Sequence, residues 1–130
     1  MNHWKNLMAV AAFFAGTAVV LGALGAHALE NKLSADALDS FKTAVRYQMW
    51  HALAIIFLAL LAKNYPVKKL IAWLWVIGIV FFSGSIYLLS TRSLTGWPVN
   101  WLGPVTPLGG LLLIVGWFWL AISLSRKSAN

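Results

Sequence analysis

Apolar residues fall into four long runs, Leu7–Ala26, Ala44–Ala62, Leu70–Leu89 and Val105–Leu124, separated by short polar or turn-rich stretches. Each run is close to the roughly 20 residues that a helix rising 1.5 Å per residue needs to cross a hydrocarbon core about 30 Å thick. The runs are continuous rather than alternating, which excludes a β-barrel, whose strands alternate between lipid and lumen. The pattern predicts an all-α integral membrane protein, a single domain over residues 1–130. Its four transmembrane helices should form a bundle with spans at about 6–28, 44–63, 69–90 and 105–124.

The connections differ in kind. KNYPVKK, residues 63–69, reads as a tight hairpin turn with Pro66 as the breaker. In ENKLSADALDSFKT, residues 30–43, Ser34 is suited to cap a helix and Asp36 to sit in its first turn. Leu38, Phe41 and Val45 then recur at helical spacing, so a short amphipathic interfacial helix is expected between spans one and two, running into the second. TRSLTGWPVNWLG, residues 91–103, is a turn-rich loop that places Trp97 and Trp101 at headgroup level. Trp4, Tyr65 and Trp73 supply the matching aromatic belt on the other side.

Periodicity also bears on the first span, whose Lys5 start and Ala26-His27-Ala28 end resemble a signal peptide. The apolar stretch is long enough to span, and it is sided. Leu7, Val10, Phe13, Phe14, Val20, Leu21 and Leu24 are expected on one arc, and Ala11, Ala15, Ala18, Gly22 and Ala26 opposite them. Small residues let neighbouring backbones approach, so an uncut, packed first helix is the expectation, with Ala18, Gly22 and Ala26 as its packing positions. Gly84, Gly109 and Gly110 are the corresponding small positions in the later spans.

Composition agrees with the pattern: 61% of residues are hydrophobic and only 10% charged, too little polar surface for a soluble domain of this length. Cysteine is absent, which removes disulfides, thiolate metal sites and thiol catalysis. The net charge of +7 arises at helix ends, so it speaks for topology rather than for a nucleic-acid partner. The side shared by both termini carries Lys5, Lys63, Lys68, Lys69, Arg126 and Lys127. The other carries Lys32, Lys42, Arg46 and Arg92, with all three acids, Glu30, Asp36 and Asp39. That six-to-four division of Lys and Arg puts both termini in the cytoplasm.

On this topology the polar residues of the spans gather in the outer half. His27 closes the first helix. Tyr47, Gln48 and His51 share a face of the second, with Arg46 adjoining them. Ser83, Ser85, Tyr87 and Ser90 belong to the third, and Thr106 to the start of the fourth. Such groups commonly hydrogen-bond between helices and fix packing. Buried ionisable groups in membranes also mark functional sites. His27 and His51, at similar depth, would suit a bis-His haem. Zinc held by both histidines and a loop acid lacks a ligand-spacing signature, and no metal site is assigned. Binding or transport of a lipid headgroup or small polar ligand at an outward-facing pocket, lined by Gln48, His51 and Tyr87 below Arg46, is a further reading. No carboxylate lies within a span and no serine has a base and acid partner, so the chain reads as a non-enzyme with no cofactor.

GALGAHAL, RYQMWHALA, FFSGSIYLLS and GPVTPLGG follow one another across the four spans. In this order and spacing they resemble the domain-of-unknown-function 423 family, the group of YgdD-like and transmembrane protein 256-like small membrane proteins. The motif positions here are Gly22, Gly25, His27, Tyr47, Gln48, His51, Ser83, Gly84, Ser85, Thr106, Pro107, Gly109 and Gly110. The resemblance implies a four-span protein of a bacterial inner membrane and names no reaction, cofactor or substrate. The leading expectation is a protein that supports membrane or envelope integrity, or a partner membrane protein, through its outer-leaflet polar network. Lipids are the expected partners, and the small helix faces leave room for a homo-oligomer.

Overall fold

The computed structural model describes residues 2–126, so Lys127 of the basic count lies outside the described residues. Four long helices, α1 (Asn2–Ala26), α2 (Ala35–Leu61), α3 (Lys69–Ser90) and α5 (Val105–Ser125), alternate in direction. A single turn, α4 (Arg92–Thr95), and a 3-10 turn (Asn100–Leu102) occupy the connection before α5. All four long helices are long and apolar enough to span a membrane. The two termini share one side with the α2–α3 turn, called here the termini side. The other two connections define the loop side.

Local chemistry sets the boundaries. Ser34 caps α2, its hydroxyl accepting from the Ala37 amide at 3.2 Å. The amphipathic segment after it is no separate element; it forms the first turns of α2 and enters the span without a break. Pro66 lies in the turn between α2 and α3. Pro107 is tolerated in the first turn of α5, where its missing N–H has no intrahelical acceptor.

Neighbours in sequence are neighbours in space: α1 packs on α2, α2 on α3, and α3 on α5, while α1 barely touches α3. A larger share of α2 and α3 is buried than of α1 and α5, so the middle pair forms the centre and the other two the edges. The apolar core lies toward the termini side, where Leu7, Ile55, Leu58, Ile71, Trp75 and Leu120 are buried together. Phe13, Val19 and Val20 of α1 and Leu111, Ile114 and Phe118 of α5 stay exposed as lipid-facing surface.

Two sequence expectations about α1 change. Leu7, expected on the bulky arc opposite the small packing residues, is buried. At about 100° per residue it lies only some 40° from Ala11, and Leu7, Ala11, Ala18 and Gly25 form the buried stripe. Ala26 is exposed at the last turn, beyond the packed stretch, so it is not a packing position.

At α3–α5 two glycines bring backbones and rings together. A Cβ on Gly109 would run into the amide nitrogen of Phe82 and sit 2.7 Å from the carbonyl carbon of Phe81. A Cβ on Gly116 would strike the indole nitrogen of Trp75. Gly110 and Gly22 have only ordinary neighbours, the Phe82 ring at 3.5 Å and Val45 Cγ1 at 3.4 Å. Gly84, expected to pack, has nothing within 4 Å of its Cβ direction, because the rotation of α3 that seats Phe81 and Phe82 on Gly109 turns Gly84 away.

Candidate functional site, an interhelical polar network

Gln48 is the centre of the network, almost wholly buried at 4% exposure. Its amide donates both hydrogens to α1, one to the Phe14 carbonyl and one to Thr17 Oγ1, each at 2.8 Å. Its carbonyl oxygen accepts from the Tyr87 hydroxyl of α3 at 2.7 Å. One side chain thus ties three helices. Thr17 in turn donates back to its own helix, at 3.0 Å to Phe13 O or 3.1 Å to Phe14 O. Phe41 covers the Tyr87 ring, with centroids 5.1 Å apart.

Ser83 makes a parallel link between α3 and α2, donating to the Ala44 carbonyl at 2.7 Å from a fully buried position. Ser85 and Thr106 join α3 to α5 with their hydroxyl oxygens 2.6 Å apart. Since Ser85 has its single hydrogen on the Phe82 carbonyl, Thr106 donates in that pair.

His51 and Trp117 link α2 to α5 across a gap where only large side chains reach. The Trp117 indole N–H donates to His51 Nε2 at 3.0 Å. Nε2 must therefore be unprotonated, and the ring hydrogen sits on Nδ1, which donates to the Tyr47 carbonyl at 2.7 Å. Both ring nitrogens are consumed and the imidazole is neutral in this arrangement. Tyr47 stacks on His51 at 5.9 Å and packs tilted against Phe82 at 4.8 Å, so its role is its carbonyl and its ring. Trp75 packs on Trp117 at 4.5 Å and donates its own indole N–H to the Leu113 carbonyl at 3.2 Å. No buried side-chain nitrogen or oxygen among the described residues lacks a partner.

The structure gathers Tyr47, Gln48, His51, Ser83, Tyr87 and Thr106 into this network and leaves His27 and Arg46 outside it. His27 lies exposed in the turn after α1. Gly25 meets Phe41 across the α1–α2 contact, so His27 stands opposite residue 39 or so. His51 is then about 18 Å further along α2 at 1.5 Å per residue, not at similar depth. With Nε2 also engaged, the geometry for a bis-His haem is absent. Arg46 is exposed and, with Lys42, lines a shallow groove of about 270 Å³ over Gly22 and Gly25, away from Gln48. Among the described residues no three of His, Asp and Glu converge on a metal-sized site.

Sequence reading missed three members: Thr17, Trp75 and Trp117. Trp counts as hydrocarbon in hydropathy and as belt at a membrane interface, so two indoles deep inside spans passed as apolar. Their depth was the available signal, because a buried indole N–H needs an acceptor. Hydrogen bonding therefore continues to the middle of the membrane and past it, at Trp117 and Trp75, rather than stopping in the loop-side half.

The family model described as "Protein of unknown function (DUF423)" matches residues 21–110, from the end of α1 through the network to Gly110. A UPF0382 membrane protein of Staphylococcus saprophyticus is 40% identical over 91% of this chain and 95% of its own length. One of Haemophilus influenzae is 38% identical over 98% of each chain. The UPF0382 inner membrane protein YgdD of Escherichia coli is 34% identical over 86% of each. No solved structure matches. None of these names denotes an enzyme. With the match spanning most of its length, this chain belongs to the DUF423 family of membrane proteins.

Proposed function

We propose that this protein is a non-enzymatic component of a bacterial inner membrane, supporting the membrane or a partner membrane protein as a rigid four-helix element. Both termini face the cytoplasm in this reading, on the strength of the Lys and Arg distribution. The observation that carries it is the saturation of the network. Gln48 has both amide hydrogens and its carbonyl engaged, and His51 has both ring nitrogens engaged, all on protein groups. A catalytic base or a ligand-binding imidazole needs a free nitrogen facing a space that a substrate can enter. Here the groups face one another, as interhelical links in a membrane do.

His51→Ala tests the reading. It leaves the Trp117 indole without its acceptor, and unfolding of the purified protein in mixed micelles should become easier by about 1–2 kcal/mol, with no bound molecule lost. Full retention of thermal stability, or loss of a co-purifying molecule in native mass spectrometry, would overturn it.

A further inference from the structure

A second polar feature lies on the loop side, adjoining the network at Thr106. The first turns of α2, the end of α3, α4 and Thr106 enclose an open cavity of about 660 Å³, within the range of about 300–1,000 Å³ typical of small-molecule sites. Two of the chain's three acids, Asp36 and Asp39, line it from α2, and Arg92 lines it from α4. Ser40, Thr43 and Ser90 add hydroxyls, and Ile86 and Leu89 of α3 form an apolar wall.

The placement follows from the helix. Residues 36, 39, 40 and 43 recur at spacings of three and four and share one face of α2, while Phe41, Ala44 and Gln48 turn into the bundle. Arg92 lines the cavity and spends one donor on Asn100, Nη1 to Oδ1 at 3.3 Å, a long bond for a group with five N–H donors. We infer that this cavity binds the headgroup of a phosphoethanolamine lipid, its ammonium on Asp36 and Asp39 and its phosphate on Arg92. This goes beyond the structural role proposed above and does not depend on it.

The charge set narrows the ligand. A bare divalent cation would suit the carboxylates but not the guanidinium. An anionic headgroup would meet two carboxylates for one arginine. A zwitterion satisfies both, and Arg is well matched to phosphate. Among zwitterions, a quaternary ammonium is held by aromatic faces, and no aromatic residue lines this cavity. A primary ammonium instead donates to carboxylates and hydroxyls, which are what the lining offers. The apolar wall and the exposed Trp97 and Trp101 of the same connection favour a lipid over a soluble zwitterion.

The test is native mass spectrometry of the full chain released from nanodiscs of equal phosphatidylethanolamine, phosphatidylcholine and phosphatidylglycerol. The ethanolamine lipid should be retained over the choline lipid by about tenfold, the weight of one charge-assisted hydrogen bond. Asp36→Asn with Asp39→Asn should bring that ratio close to one. Arg92→Gln should weaken both zwitterionic lipids together. These side chains are exposed, and unchanged melting of the variants confirms their folding. Equal retention of the three lipids, preference for phosphatidylglycerol, or an unchanged ratio in the double variant would overturn the inference. Displacement of the lipid by soluble phosphoethanolamine would overturn its assignment to a lipid.

Discussion

The interfaces α3–α5 and α1–α2 both use small residues, yet they hold by different means. At α3–α5, glycine lets a backbone touch a backbone, with Gly109 against Phe81 and Phe82, and lets an indole approach a helix backbone, with Gly116 beside Trp75. On α1 and α2 the buried small residues are mostly alanines, Ala11, Ala18, Ala44 and Ala52, and the one buried glycine of α1, Gly25, meets the Phe41 side chain rather than backbone. That contact is pinned instead by the two hydrogen bonds from Gln48 to Phe14 and Thr17. In lipid the apolar surface of one helix gains little from meeting another, so association must come from close packing or hydrogen bonds. The α1–α2 contact relies on hydrogen bonds, whereas α3–α5 adds glycine-mediated backbone contact to its Ser85–Thr106 and Trp75–Leu113 bonds.

The largest effect should follow from attacking shape. Gly109→Val places a branched side chain where Phe81 and Phe82 have their backbone, and backbone has no rotamer by which to yield. The helices must separate, which also pulls Thr106 from Ser85. Destabilisation of about 3 kcal/mol or more is expected, against the 1–3 typical of overpacking where side chains can adjust. Denaturant titration in mixed micelles measures it. A loss under 1 kcal/mol would mean that the backbone contact contributes little.

Next comes the hydrogen-bonded interface. Gln48→Leu keeps the volume roughly constant but removes the links to both α1 and α3, and it leaves the half-buried Tyr87 hydroxyl without its acceptor. About 2 kcal/mol should be lost, from two interhelical contacts and one unpaired group. The damage should concentrate at α1. In a chain without cysteine, Ala18→Cys gives a thiol at a buried position of α1. It should react faster with a membrane-permeant reagent in the Gln48→Leu background than in the wild type. Equal reactivity would show that alanine packing alone holds α1.

These two variants also mark what could be read from the chain. Four spans were legible because continuous apolar runs of that length admit one solution in a bilayer. Gln48 and Tyr87 stood out because polar groups in such runs are few and must be paired. Their partners were not legible, since Phe14 contributes a backbone carbonyl and carbonyls are the same at every position. Trp75 and Trp117 were hidden by a hydropathy that counts the ring and ignores the N–H. His27 was drawn in by its expected depth and Arg46 by adjoining Tyr47 in sequence, whereas their exclusion depends on the end of α1 and the rotation of α2. Asp36 read as a first-turn helix charge and Asp39 as one more acid of the loop side; Ile86 and Arg92 come beside them only through α3 and α4.

The smallest effect should come from a glycine that only sequence marks out. Gly84 stands between Ser83 and Ser85, which bond in different directions, to Ala44 of α2 and to Thr106 of α5. A helix advancing about 100° per residue cannot point three successive side chains at neighbours on two sides. The middle position faces outward, and its Cβ direction is open. Gly84→Ala should therefore cost nothing, and the lower backbone freedom of alanine should stabilise by up to about 0.5–1 kcal/mol. The same titration reads it beside Gly109→Val, one small-residue change on each side of a single helix turn. A loss at Gly84 approaching that at Gly109 would mean that another chain packs on this face in the membrane, since nothing within the bundle is there to be displaced.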